Sequence, residues 1–197
     1  MTTKSLNQAI FVHVSAGSHP TPMLLALASG VANWALYAAP LLMIGLWLWG
    51  ERDDRRAAVS ATLAAFVALG AAAVISANYM HARPFMDGLS PNWLDHAPDS
   101  SMPSDHATLL FALGFALWLN PPPKFANAAI VLLLLACAVS LARVWLGAHY
   151  PGDIGVGALL GLVAALLAHT ALFRRLVAHL TDFGIWLYGW PRRMLPK

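Results

Sequence analysis

Apolar residues fill this chain in long unbroken runs instead of one-sided stripes. The runs cover Met23–Trp49, Ala57–Tyr79, a shorter Asp105–Leu119, Phe125–Leu141 and Asp153–Phe173, and about 20 apolar residues suffice for a helix to cross the hydrocarbon core. Lipid offers backbone polar groups no partner outside the segment itself, so each run is expected to be helical. The pattern predicts an all-α polytopic membrane bundle of about five transmembrane helices. At roughly 22 Å of rise, the 15-residue third run is short, and its polar start is expected within a thinned or protein-lined region. Ahead of the first run, Leu6, Ala9, Ile10 and Val14 share one helical face; behind the last come Trp186, Tyr188, Trp190, Arg192 and Arg193. Both ends are therefore expected to form interfacial helices. A lone Lys4, a semi-polar stretch and then a 27-residue run fit an uncleaved span better than a signal peptide.

Composition agrees, with 59% hydrophobic and 11% charged residues against roughly a quarter charged in soluble domains. A chain of 197 residues suits a single domain. Its one cysteine, Cys137, excludes an internal disulfide or a paired-cysteine metal site. The net charge of +3 is mild and lies between apolar runs, which argues against nucleic-acid binding. Those charges report topology instead. Nine cations (Arg52, Arg55, Arg56, Lys124, Arg174, Arg175, Arg192, Arg193, Lys197) fall on one side of the spans and three (Lys4, Arg83, Arg143) on the other. The richer side is expected to be cytoplasmic. Segments Met80–Ser104 and Ala142–Gly152 then both face outward, to the periplasm or cell exterior.

Three polar groups meet on that outward side: His81-Ala82-Arg83-Pro84, Pro103-Ser104-Asp105-His106, and Arg143 with His149 and Asp153. Ionisable residues at span ends default to a functional reading. Phosphoryl transfer without a metal needs cations for the phosphate oxygens, an in-line nucleophile and an acid for the leaving oxygen. Arg83 and Arg143 can clamp phosphate through the guanidinium fork. Ser104 is a predicted N-cap, which would aim the first-turn N–H groups of the third span at an anion. Asp153 lies four residues beyond His149, close enough to hold one imidazole nitrogen and free the other for attack. His106 is left as the acid, and afterwards as the base that activates water. No cofactor or metal is called for. A purely structural reading, in which His149, Asp153 and Arg143 form a salt-bridged cap between helices, does not account for the other two groups.

Arg83-Pro84, Pro103-Ser104-x-His106 and Arg143-x5-His149-x3-Asp153 resemble, in order, the three signature motifs of the type 2 phosphatidic acid phosphatase superfamily, across about residues 76–153. The resemblance implies a helical core, a metal-independent site at the outer interface, His149 as nucleophile, His106 as acid, and Arg83, Ser104, His106 and Arg143 around the phosphate. Two positions depart from the family pattern: Ser76 stands where a lysine is usual, and Asp105, grouped here with the phosphate-binding residues, where a glycine is usual. These departures, the short chain and His81 make it most similar to the bacterial undecaprenyl-diphosphate phosphatases linked to bacitracin resistance. By that similarity the substrate partner is a polyprenyl diphosphate lipid, His81 is a second-phosphate contact or acid, and Asn92–Asp99 with His96 shapes the site. The alternatives are a phosphatase of another lipid (phosphatidylglycerophosphate, phosphatidic acid or a lipid A phosphate) and a membrane protein that binds phosphate or lipid without turnover. Asp87, Asp95 and Asp99 read as solvated loop residues, Asp53-Asp54 as a solvated turn, and His169 as a packing or interfacial residue.

Overall fold

A computed structural model of the chain describes residues 3–194, and the side chains of residues 6–189. Every regular element among these is helical: α1 (Thr3–Val14), α2 (Pro22–Trp34), α3 (Ala38–Trp49), α4 (Arg52–Asn78), α5 (Asp105–Leu119), α6 (Ala128–Trp145), α7 (Pro151–Leu167) and α8 (Ala171–Met194), with short 3-10 turns at Ala35–Tyr37 and Pro123–Phe125. The chain is a helical membrane protein. Three stretches are long and apolar enough to cross a bilayer, namely Pro22–Trp49, Arg52–Asn78 and Ala128–Trp145; α7 with α8 makes a fourth if that bent pair counts as one span, and α5 is a shorter apolar helix.

Short α5 is the centre of the bundle, packed against α4, α6 and α7. Small residues permit this. On α4, Ala57, Ala61, Ala64, Ala65, Ala68 and Ala72 are buried, and on α7 a Cβ added at Gly161 would come within 2.6 Å of the Ala112 backbone nitrogen. Helices in lipid gain little from apolar burial alone and associate through such close approach.

Several boundaries differ from the sequence expectation for identifiable reasons. Helix α4 begins at Arg52, not Ala57, because Glu51 and Asp54 form a reciprocal capping box. Asp54 is therefore no solvated turn residue. It is buried, accepting from Glu51 N–H at 2.8 Å and, across the fold, from Lys124 N–H at 2.9 Å. Helix α6 runs on to Trp145, so Arg143 sits in its last turn and not in the following loop. The last expected span breaks after Leu167, and α8 leaves at 81°. There the final turn tightens, with His169 and Thr170 N–H bonding to Leu166 and Leu167 carbonyls, while Asn120 donates to His169 Nε2 at 3.2 Å.

In α1, Leu6 and Ile10 are exposed, whereas Phe11 is fully buried against Val144 and Tyr150. Asn7 accepts from Gly152 N–H at 2.9 Å, tying α1 to the start of α7. Lys4, Arg192, Arg193 and Lys197, used above for topology, and Trp190, expected at the interface, lie outside the described side chains.

Candidate active site

The end of α4, the starts of α5 and α7 and the last turn of α6 meet at one end of the bundle, roofed by residues 79–104. A cavity of about 350 Å³ opens there, lined by Ser76, Arg83, His96, Asp99, Asp105, His106, Arg143 and His149 among others. Gly147 makes the turn that delivers His149: its φ of +76° suits glycine, and a Cβ there would strike the Ser90 side chain.

His149 is 2% exposed. Its Nδ1–H donates to the Ser101 carbonyl at 2.8 Å, which settles the tautomer and leaves an Nε2 lone pair 3.4 Å from Arg83 Nη1. Burial lowers this imidazole to about 4; Asp153 opposes the shift, and Arg143 and Arg83 reinforce it. The ring is thus neutral near pH 7, with its Nε2 lone pair unprotonated.

Asp153 stands behind the ring but does not bond it directly. Its Oδ2 lies 3.8 Å from Nδ1, beyond hydrogen-bond reach. Instead Oδ2 accepts a short bond from Ser101 Oγ–H and one of 2.7 Å from Tyr150 N–H, closing the capping box of α7. Ser101 therefore bridges carboxylate and imidazole. Sequence reasoning missed it, since a serine within Asp99-Ser100-Ser101-Met102 carries no signal of its own. Asp153 Oδ1 approaches His81 Nδ1 at 3.0 Å, so His81 packs behind Asp153 and is absent from the cavity lining. Ser104 is the N-cap of α5, accepting from Ala107 N–H at 3.5 Å, and it too is buried out of the lining.

The two arginines differ. Arg83 spends all its donors within the protein: Nε and Nη2 on Asp99 (2.9 and 2.8 Å), Nη2 also on the Ser100 carbonyl (3.1 Å), and Nη1 on the Ala148 carbonyl (2.9 Å) and toward His149. Arg143 is 3% exposed yet among the described residues has one close contact, Nη1 to His106 Nε2 at 3.3 Å, and its buried Nε has no partner there. A buried cation so poorly satisfied is costly by itself and ready for an anion.

Loop residues read from sequence as solvated prove to be anchors. Asp87 accepts the Tyr150 hydroxyl at 2.7 Å. At Asp99 partial burial would raise the carboxyl, but the hydrogen bond and charge of Arg83 hold it below the ordinary range. His96 is lowered first by burial and then by Arg83 and Arg143, and its ring stands edge-on to His149 at 6.3 Å. Ser76, at the position where the resembled family carries lysine, donates to the Met102 carbonyl at 3.1 Å. The arrangement presents a neutral nucleophilic nitrogen, two guanidinium groups and a second imidazole to one small cavity, which is what displacement at phosphorus requires.

A family model described as the PAP2 superfamily matches residues 79–176. YbjG of Escherichia coli (strain K12), provisionally named an undecaprenyl-diphosphatase, is 33% identical over 84% of this chain and 82% of its own length. Undecaprenyl-diphosphatase BcrC of Bacillus subtilis (strain 168) is 28% identical over 86% and 83% respectively. Among solved structures, Aquifex aeolicus LpxE has the same fold, with a TM-score of 0.68 at 21% identity, covering 85% of this chain and 98% of that one.

Proposed function

We propose, since the chain belongs to the PAP2 superfamily, that it hydrolyses undecaprenyl diphosphate to undecaprenyl phosphate and inorganic phosphate at the outer face of the cytoplasmic membrane. The observation that carries the reaction type is the neutral, buried His149, with Nδ1–H held by the Ser101 carbonyl and Nε2 beside Arg83. The choice of lipid rests on the relatives named for that substrate. The outward face rests on the nine-to-three distribution of cations.

In this reading Nε2 attacks the terminal phosphorus. The N–P bond forms as the bridging P–O bond breaks, and the departing lipid phosphate takes a proton from His106. His106 then removes a proton from water, which attacks phosphorus, breaks the N–P bond and releases inorganic phosphate. Arg143 and Arg83 neutralise the equatorial oxygens. The Ser101–Asp153 pair holds the imidazole as charge develops on it.

Phosphate release from undecaprenyl diphosphate in detergent with EDTA present tests the reading. Release is expected, and at a higher kcat/KM than from phosphatidylglycerophosphate, phosphatidic acid or a lipid A phosphate. Preference for one of those lipids would replace the substrate, and loss of activity to the chelator would end the metal-free mechanism.

The pairing of Asp99 with Arg83 adds an expectation. The Asp99 side chain is 60% exposed and occupies the outer donors of a guanidinium that is otherwise committed to backbone carbonyls, so it competes with phosphate for that position. Asp99→Asn removes the competing charge. Inorganic phosphate should then inhibit the variant about fivefold more strongly, the worth of one exposed ion pair. An unchanged or weaker product inhibition would mean that Asp99 only positions Arg83.

A further inference from the structure

A cavity separate from the candidate site lies at the other end of the bundle. It measures about 450 Å³ and sits between the first turns of α4, the Asn120–Pro123 linker and the α7–α8 bend, with Arg56 and Arg174 on its wall. Cavities of this size suit a small ligand or a headgroup. Six cations gather at this end: Arg52, Arg55, Arg56, Lys124, Arg174 and Arg175.

Their partners differ in an informative way. Arg52 pairs with Asp182 at 2.6 Å, Arg55 donates to the Trp47 carbonyl at 2.9 Å and lies over the Trp47 ring, and Lys124 donates to the Trp49 carbonyl at 2.9 Å. Of the two arginines that border the cavity, Arg174 has no acceptor among the described residues and Arg56 has only a loose one, Asp53, which shares the cavity wall. Arg56 reaches only Asp53, at 3.6 Å, and its Nε is buried without a hydrogen bond. An orphaned buried donor calls for a ligand that satisfies it.

Helix α8 indicates where that ligand comes from. It turns 81° away from α7 and leaves Leu172, Leu176, Leu180, Phe183 and Leu187 exposed at three- and four-residue spacing, an apolar row that a bilayer surface covers. Arg174, on the same helix, then stands at headgroup depth. We infer that this cavity binds the phosphate of an anionic glycerophospholipid of the surrounding leaflet, with Arg56 and Arg174 as the cationic contacts. Basic pockets between helix ends at the cation-rich face are where such headgroups lodge.

The test uses the full-length protein in detergent, with thermal stability followed against added dioleoyl-phosphatidylglycerol, dioleoyl-phosphatidylcholine or inorganic phosphate. Phosphatidylglycerol should raise the melting temperature and phosphatidylcholine should not; inorganic phosphate, which also enters the catalytic cavity, is added to Arg143→Gln and should not raise it there. The half-saturating lipid concentration should rise about thirtyfold in Arg56→Gln/Arg174→Gln. Arg174→Gln alone, a change at an exposed side chain, should give a smaller rise and covers the case in which the double variant fails to fold. Arg143→Gln should retain the full response, which separates this site from the catalytic cavity. The inference is overturned if phosphatidylcholine works equally, if inorganic phosphate alone reproduces the shift in Arg143→Gln, if Arg174→Gln responds as the unaltered protein does, or if Arg143→Gln abolishes the response to phosphatidylglycerol. Since no turnover is read, the outcome is independent of which lipid the enzyme hydrolyses.

Discussion

Replacing His149 with alanine is expected to lower phosphate release by at least about four orders of magnitude, the scale seen when a covalent nucleophile is removed from a preorganised site. The substitution should leave the fold standing. The capping box that starts α7 runs between Tyr150 and Asp153 and does not pass through the imidazole, and the Ser101 hydroxyl still reaches Asp153. What disappears is the lone pair at Nε2. A direct check is rapid quenching into alkali after mixing with substrate labelled at the terminal phosphate, because phosphohistidine survives base. Label should stay on the unaltered protein and be missing from His149→Ala. A variant that kept most of its turnover, or an unaltered protein that never carried label, would rule out the covalent route.

The apolar runs made the membrane architecture readable from sequence, because a backbone in lipid has few alternatives to a helix. Arg83, His106, Arg143 and His149 stood out for the complementary reason: a charge or imidazole at the end of an apolar run is expensive. What the sequence concealed depends on tertiary partners. Asp153 is spaced to touch His149, yet Ser101, 52 residues before Asp153, takes the place between them. His81 sits two residues from Arg83 and still packs on the far side of Asp153. Asp54 looks like a solvated turn residue until Lys124 N–H is brought to it across 70 residues of chain. The α7–α8 bend has no proline or glycine to announce it, and Asn120 meets His169 there only once the bundle is assembled.

Arg83 and Arg143 are indistinguishable by motif logic, but their surroundings predict different consequences when each is changed to glutamine. Arg143 has its one close contact with His106 and leaves a buried Nε unpaired, so the fold gains little from it. Arg143→Gln should lower kcat/KM by about 10²–10³, the cost of one preorganised charge donor, with a melting temperature equal to that of the unaltered protein or higher, since a poorly paired buried charge has been removed. Arg83 ties Asp99, the Ser100 carbonyl and the Ala148 carbonyl together, and with them the two segments that position His149. Arg83→Gln strands those acceptors and should cost about 3 kcal/mol or more in stability together with a loss of turnover at least as large. Melting temperature and kcat/KM measured on both variants separate the two roles. Equal destabilisation would mean that Arg143 is held by contacts equivalent to those of Arg83, and a stable, inactive Arg83→Gln would mean that the carbonyl contacts carry little of the loop. The expected divergence follows from partners alone: an arginine whose donors are already spent stabilises the site, and one whose donors are free is available to the phosphate.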